Sequence, residues 1–485
     1  MTLPRSRGMA DQAFTRGHAF LACCAPLLFG LCCIAPAHAA QPTVTSLGEL
    51  FAIAHESEPG FRSAMADVAV AHARAREALG AMLPQLTATA NSNGNRRRYH
   101  TLDTPPSTLH DRYHSNGDQI SLNQPLWRPA NIASWHQAQE SAAQAGYRLD
   151  DAEQQLYLKV ATAWFDLMEA RDAVEFTTAQ RDALHAQWNI ARRAAELGAQ
   201  SQPQADDAQA KYEEASADEA SAELDVETKL AALEQWVGRA DGLVQPYLRD
   251  DARIPELVGG DLDQWLEQVD THCPALRAAD RAIAAANAEV SKQRAGHQPT
   301  LDIVATYGDT DQAVGNFPGQ TGYRIRQFAV GLQLNVPIYS GGTQSAKVAE
   351  ALALRDKARD DRDAARRLAI LNVKTAFLGW RAGLAKAKGA RIAVMSAKSA
   401  LAAAESSASH CLKTQADVLT ARQQMATARR DLRKARYQQL TSFIKLKSTL
   451  GELSEGDVDE LDQLFSASES DASAMAMTST AQPTP

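Results

Sequence analysis

From Phe328 to Ile338 the chain alternates with a two-residue period. Phe328, Val330, Leu332, Leu334, Val336 and Ile338 fall on one face of an extended segment, and Ala329, Gly331, Gln333 and Asn335 fall on the other. Three further segments behave alike. Ile120, Leu122 and Leu126 oppose Ser121 and Asn123; Leu301, Ile303, Ala305 and Tyr307 oppose Asp302 and Thr306; a weaker version runs from Leu86 to Asn91. The pattern predicts strands over residues 84–92, 118–127, 299–308 and 326–339, each with one face suited to lipid and one to water.

Elsewhere the composition is helical. No proline occurs between Pro129 and Pro203 or between Pro337 and Pro483, and strong helix formers such as Ala, Gln, Glu, Lys, Arg and Leu dominate both stretches. Helices are predicted over 130–198, 204–238, 343–409 and 413–450. The first would reach about 100 Å at about 1.5 Å per residue, too long for a globular core, so it must pack lengthwise against other helices. Its apolar residues are small and spread rather than gathered in an a/d stripe, as packing on two sides in a cylinder wall requires. Gly379, Gly383 and Gly389 predict curvature or a discontinuity in the 343–409 rod. A shorter helix should open at the Ser46-Leu47-Gly48-Glu49 capping box and end near Pro84.

The two halves of the chain repeat each other. Pro59 and Arg62 recur as Pro274 and Arg277, and Leu122-Asn123-Gln124-Pro125-Leu126-Trp127 recurs as Leu334-Asn335-Val336-Pro337-Ile338-Tyr339. Val160, Ala163, Ala208 and Gly238 return as Val373, Ala376, Ala421 and Gly451 at one constant shift, which argues for duplication of a single unit: helix, strand, loop, strand, two long helices. The expected organisation is a signal peptide at 1–39, a first repeat at 40–238, an equatorial linker at 239–261, a second repeat at 262–451, an equatorial segment at 452–466 and a disordered tail at 467–485.

The leader follows from Arg5, Arg7 and Arg16, the apolar run from Phe20 to Ile34, and the small residues of Ala37-His38-Ala39. Four of the six cysteines lie within it, leaving Cys273 and Cys411, too few for a disulfide framework and too far apart along the rods to bridge. A lipidation signal is disfavoured, because Phe20-Leu21-Ala22-Cys23 comes too early in the apolar run and Leu31-Cys32-Cys33 lacks the small residue before the cysteine. The net charge of −8 gives no basic stripe for nucleic acid. No later segment approaches 18 uninterrupted apolar residues, so a membrane can be crossed only by strands. Backbone groups in lipid must all be paired, and four strands cannot close a barrel when single-chain barrels begin at about eight. At least two copies are required, and three for a conduit of useful width.

With these features in place, the sequence resembles the TolC family of outer-membrane export channels. The resemblance is carried by Gly296-His297-Gln298-Pro299-Thr300-Leu301-Asp302, by Val330 to Gly342 with Pro337, Tyr339, Gly341 and Gly342, by Asp417-Val418-Leu419-Thr420-Ala421, and by Leu450-Gly451, and it runs from about Ser46 to Gly451. It implies an α+β membrane protein: a trimeric 12-stranded β-barrel, four strands per subunit, continued by a long α-helical barrel in the periplasm. It further implies a periplasmic gate at the 343–409/413–450 turn. Asp417 matches an acidic ring and Lys413 a basic tether, while the second acidic ring falls on Thr420 and the acidic partner from the first repeat on Gln204. The implied partners are two sibling copies, a periplasmic adaptor, an inner-membrane ABC transporter or proton-driven pump, and outer-membrane lipid.

No phosphate loop, H-E-x-x-H, G-x-S-x-G or spaced Cys/His motif occurs, so neither catalysis, cofactor nor metal is expected. Type I secretion of RTX-type proteins is the favoured function. The alternatives are a multidrug-efflux channel and, in a different class, a periplasmic helical adaptor. Arg96, Arg97, Arg98, His100, His110 and His114 are assigned to a hydrated external loop.

Overall fold

The computed structural model describes residues 46–100, 102, 108–238, 247–249, 254, 261–313, 321–410, 412 and 414–466. The expected signal peptide, most of the linker, the 467–485 tail, Cys411 and Lys413 lie outside these residues.

Each repeat begins with a pair of helices: α1 (Leu47–Ser57) and α2 (Pro59–Gly80) in the first, α5 (Leu262–His272) and α6 (Pro274–Ala295) in the second. A single helix from Ser46 towards Pro84 was expected. The chain breaks instead at Glu58 and again at Cys273, because the proline that follows disfavours helical backbone before it and opens a new helix at N1. Strands β1 (Gln85–His100) and β2 (Thr108–Trp127) follow in the first repeat. The second repeat has β4 (Thr300–Gln312) and β5 (Tyr323–Asn335), while β3 (Tyr247–Leu248) lies in the linker. The long helices are α3 (Pro129–Glu196) and α4 (Gln202–Val237), then α7 (Thr343–Ser409) and α8 (Gln415–Leu450); α9 (Glu455–Asp462) and β6 (Phe465–Ser466) finish the described chain. The duplicated rods match closely, at 68 and 67 residues for α3 and α7, and 36 each for α4 and α8. Both returning helices stop at a glycine with positive φ, Gly238 at 79° and Gly451 at 72°, a conformation that a Cβ would strain.

Two strand expectations need correction. β1 and β2 run far beyond 84–92 and 118–127 at their outer ends, so Arg96, Arg97, Arg98, His100, His110 and His114 sit in a paired ladder and not in a loop. β5 stops at Asn335, not at residue 339, since Pro337 has no N–H to donate to a ladder; β2 passes its equivalent Pro125 only through a bulge between Pro125 and Trp127. The α7 glycines make no discontinuity. α7 is continuous, and a Cβ on Gly383 would meet Gln439 Cβ at 3.0 Å and its Cα at 3.1 Å, while one on Gly379 would meet Ser442 Oγ at 2.9 Å. These two glycines let α8 approach; only Gly389 faces open space.

The core lies midway along the rods. Val160, Trp164, Phe165 and Leu167 of α3 meet Leu440, Ile444 and Leu446 of α8, with Val373 and Phe377 of α7, Leu47 and Leu50 of α1, and Leu461 of α9 around them. Polar ties seal it. The Asp462 carboxylate accepts the Leu47 and Gly48 N–H groups at 2.7 and 3.0 Å, capping α1 from the far end of the chain. Buried Gln154 donates to Leu453 O at 3.1 Å and accepts from Leu453 N at 3.2 Å, which satisfies a backbone pair inside the core. Arg433 of α8 reaches Asp172 and Glu175 of α3, each at 2.9 Å; the carboxylates hold its guanidinium in the charged form, while burial raises the Tyr437 hydroxyl and the Asp172 carboxyl above their usual ranges.

Candidate functional site

The four long strands form one antiparallel sheet in the order β1-β2-β4-β5. Its register aligns the alternation of all four. Leu86, Leu122, Ala305 and Val330 stand in one cross-strand row, and Ala88, Ile120, Tyr307 and Phe328 in the next of the same parity. The intervening row, Thr87, Ser121, Thr306 and Ala329, is small and carries three hydroxyls, those of Thr87 and Ser121 being 2.6 Å apart. One side is therefore apolar and the other hydrophilic, as a wall between lipid and water must be. Phe328, Val330, Leu332 and Leu334 are each at least 64 % exposed in the single chain, so nothing in the subunit covers this face.

The sheet ends in two open edges, β1 and β5. Three antiparallel steps separate them, so they run in opposite directions, and β5 of one copy can pair with β1 of the next without breaking the antiparallel alternation. At the foot of the sheet Arg128 forms a bidentate pair with nearly buried Asp302 at 2.8 and 2.6 Å, joining the end of β2 to β4 across the repeats. The strand motif residues gather here. Leu301 lies in β4 beside Pro299, whereas Pro337 and the 88 % exposed Tyr339 follow β5; Gly341 and Gly342 take φ values of 62° and 81° to turn the chain into α7.

At the opposite end of the rods, α7 turns into α8 and α3 into α4. Thr414 and Asp417 form a capping box: the Asp417 carboxylate accepts the Thr414 N–H at 2.9 Å and its hydroxyl at 2.8 Å, and Thr414 Oγ1 accepts the Asp417 N–H at 3.3 Å. Gln204 occupies the same third position of α4, its Oε1 accepting the Ser201 N–H at 3.1 Å. Asp417 and Gln204 are thus repeat equivalents, each tying off a returning helix, a role that the Ser-x-x-Gln and Thr-x-x-Asp spacings signal and that the gate comparison hid. The structure does not bring the two together with Thr420 in one contact: the Thr420 hydroxyl donates to Ala416 O at 2.9 Å. Small residues Ala404, Val418 and Ala421 pack the α7–α8 tip, and Arg422 pairs with Glu405 at 2.9 Å.

Among the described residues no helix is long and apolar enough to cross a membrane, and no group of three metal-binding side chains occurs.

Residues 50–239 and 265–452, the two repeats almost in full, match the family described as outer membrane efflux protein. The outer membrane protein TolC of Vibrio cholerae is 28 % identical over 414 residues, 85 % of this chain and 92 % of that protein. The proteases secretion protein PrtF of Dickeya chrysanthemi is 27 % identical, covering 79 % of this chain and 83 % of its own. Among solved structures, the outer membrane protein VceC from Vibrio cholerae superposes with a TM-score of 0.67 at 19 % identity, over 84 % of this chain and 96 % of that one.

Proposed function

The chain belongs to the outer membrane efflux protein family, and from that membership we propose that three copies form the outer-membrane conduit of a tripartite export system. The register of the sheet carries this assignment: one mainly apolar face, one hydrophilic face and two open edges of opposite direction describe a third of a barrel. The protein resides in the outer membrane, with its long helices in the periplasm. It has no nucleotide-binding motif to drive transport, so the energy comes from an inner-membrane ABC transporter or proton-driven pump reached through a periplasmic adaptor.

The proposed cargo is protein, by type I secretion. Relatives named for the secretion of proteases support this, PrtF among them. The family description favours a second reading, efflux of small molecules. Deleting the gene and measuring both exported protein in the medium and drug sensitivity separates them: loss of protein export supports the first, and a loss of drug resistance alone refutes it. A periplasmic adaptor would fractionate as soluble periplasmic protein, whereas the channel sediments with outer membrane.

The proposed gate is the α7–α8 tip, with Asp417 supplying negative charge to the aperture, Lys413 and Thr420 beside it, and Gln204 on the neighbouring α3–α4 turn. Contact with the adaptor and pump opens it. What supports the reading is the place of Asp417 in the first turn of α8, at the positive end of that helix and next to the α7–α8 turn.

A further inference from the structure

The β1–β2 hairpin stands well above the rest of the sheet. β4 pairs with β2 only as far as Ser115, so Gly94–His100 and Thr108–His114 form a two-stranded extension of seven residue pairs, rising about 24 Å at about 3.4 Å per residue. A two-stranded ribbon of that length is marginal in water on its own. Its two faces differ sharply.

One face is self-contained. Arg97 pairs with fully buried Asp111 at 2.8 Å and lies over the Tyr113 ring, and the Asn95 amide donates to Ser115 at 2.9 Å. The other face carries Arg96 opposite Arg112, Arg98 opposite His110, and His114 opposite Gly94, with His100 beyond; all six charged or basic side chains are exposed, and no acid lies among the described residues of this face above the row of Asn116 and Asp311. Because a strand alternates strictly, parity fixes where this face points. Arg96 and Arg98 share the parity of Leu86 and Ala88, and Arg112, His110 and His114 share that of Ile120 and Leu122, so the cationic face continues the lipid-facing side and not the lumen.

The height of the face is informative. From the Ile120 row to the His114 and His110 rows is six to ten residues, about 15–25 Å above the apolar band after allowing for a strand tilt near 40°. That exceeds the headgroup layer, which adds only about 5–7 Å to each side of a bilayer. Nearer the band the charges balance: Asp309 pairs with Arg324 and Arg326 at 2.9 and 3.0 Å, and Asp118 and Asp311 stand on the same face beside them. Uncompensated cations therefore begin only where the sugar layer of an outer leaflet begins.

We propose that this outward face binds the anionic core oligosaccharide of lipopolysaccharide, through the phosphate and carboxylate groups on its sugars, and that this contact steadies the projecting hairpin. Guanidinium forks match phosphate and carboxylate geometry, and imidazoles add donors. The proposal rests on the outer-membrane assignment above.

The test uses the full mature protein, purified in detergent and titrated by microscale thermophoresis with lipopolysaccharide bearing a phosphorylated core, with the same material after removal of core phosphates, and with lipid A alone. The expected order of affinity is phosphorylated core first by at least tenfold. The triple variant Arg96→Gln, Arg98→Gln, Arg112→Gln should lose on the order of 100-fold towards the phosphorylated core, about five-fold per charge, and little towards lipid A. Equal affinity of the wild type for phosphorylated and dephosphorylated core overturns the proposal without needing any variant, as does an unchanged triple variant. Displacement by 10 mM inorganic phosphate marks an unspecific anion patch and also overturns it. Conductance of the same preparations in planar bilayers is read in parallel: its absence in the wild type refutes the channel assignment, whereas intact conductance with unselective binding refutes only the core-sugar contact.

Discussion

Asp417 combines two roles that separate mutations can pull apart. Its carboxylate closes a capping box with Thr414, and it is the proposed source of negative charge at the aperture. Asp417→Asn removes the charge but keeps an oxygen that can accept the Thr414 N–H. Thr414→Ala keeps the charge but deletes the hydroxyl that takes part in two of the three bonds, at a cost of about 1 kcal/mol per helix end. For the charge, one carboxylate about 8 Å from a passing cation contributes about 0.5 kcal/mol in water, and three contribute about 1.6 kcal/mol before screening. A Debye length of about 8 Å reduces that to about 0.6 kcal/mol, so the cation preference should lie between about 3-fold in 0.15 M salt and about 15-fold in dilute salt. Reversal potentials of reconstituted channels across a KCl gradient measure it directly. Asp417→Asn should move the reversal potential towards zero at both salt concentrations, most at the lower. Thr414→Ala should leave it unchanged while making the 410–414 turn more sensitive to limited proteolysis. A channel whose cation preference survives Asp417→Asn refutes the aperture role and leaves the residue as a cap.

Other expectations follow from the packing. Gly383→Leu places a side chain where Gln439 backbone stands at 3.1 Å, and should destabilise the α7–α8 pair by about 1–3 kcal/mol in thermal unfolding, whereas Gly389→Leu, in open space within the helix, should stabilise by about 0.5–1 kcal/mol. The Arg366 guanidinium, bonded at 2.6 and 2.8 Å, holds the Asp270 carboxyl below the ordinary range near pH 4. Its stabilisation is thus fully present above that pH and lost as pH falls through the lower folded value; Asp270→Asn should flatten the acid limb of the stability curve slightly, both partners being 41 % exposed. Cys273 is buried three residues from Asp270, and from Arg366 to His410 is 44 residues of continuous helix, about 65 Å. Cys273 and Cys411 should therefore remain unbridged, and an intramolecular disulfide found by mass spectrometry would contradict the layout.

The parts of the fold that the sequence disclosed are those with long-range periodicity. Alternation marked all four strands, and freedom from proline marked the rods, because both signals accumulate over many residues. The failures are local. A polar ladder such as Asn91 to His100 has no apolar alternation to announce it, since neither face is buried against lipid; its pairing is set by continuation of a register begun below. Gly379 and Gly383 resemble helix breakers until Ser442 and Gln439 are seen against them, a contact made across some sixty residues of chain. Asp417 and Gln204 were singled out by family likeness, yet the capping-box spacing that explains their backbone contacts was already readable at Thr414 and Ser201.

Ring closure is demanded twice over by this one chain. The sheet leaves β1 and β5 open, which fixes what the next copy must supply in the membrane. Among the helices, α3 packs on α2, α4, α6 and α8, and α7 on α6 and α8, so α2 and α4 flank one side and α7 the other. α2 leads into β1 and α7 follows β5, so the open edges at both levels fall on the same two sides of the subunit. α7 also leaves a stripe uncovered: Leu371, Leu378, Ile392 and Met395 are all more than half exposed, at spacings of seven, fourteen and three residues that fall on the a and d positions of one heptad seam. A neighbour that pairs its β1 with this β5 therefore brings its own α2 and α4 towards that stripe. A dimer meeting through one kind of edge alone would leave the other open, in lipid for the strands and in water for the apolar seam. Only a head-to-tail ring satisfies both together, and the number of copies is then decided by the angle at which α7 receives its neighbour, because the antiparallel alternation is kept with any multiple of four strands from about eight upwards.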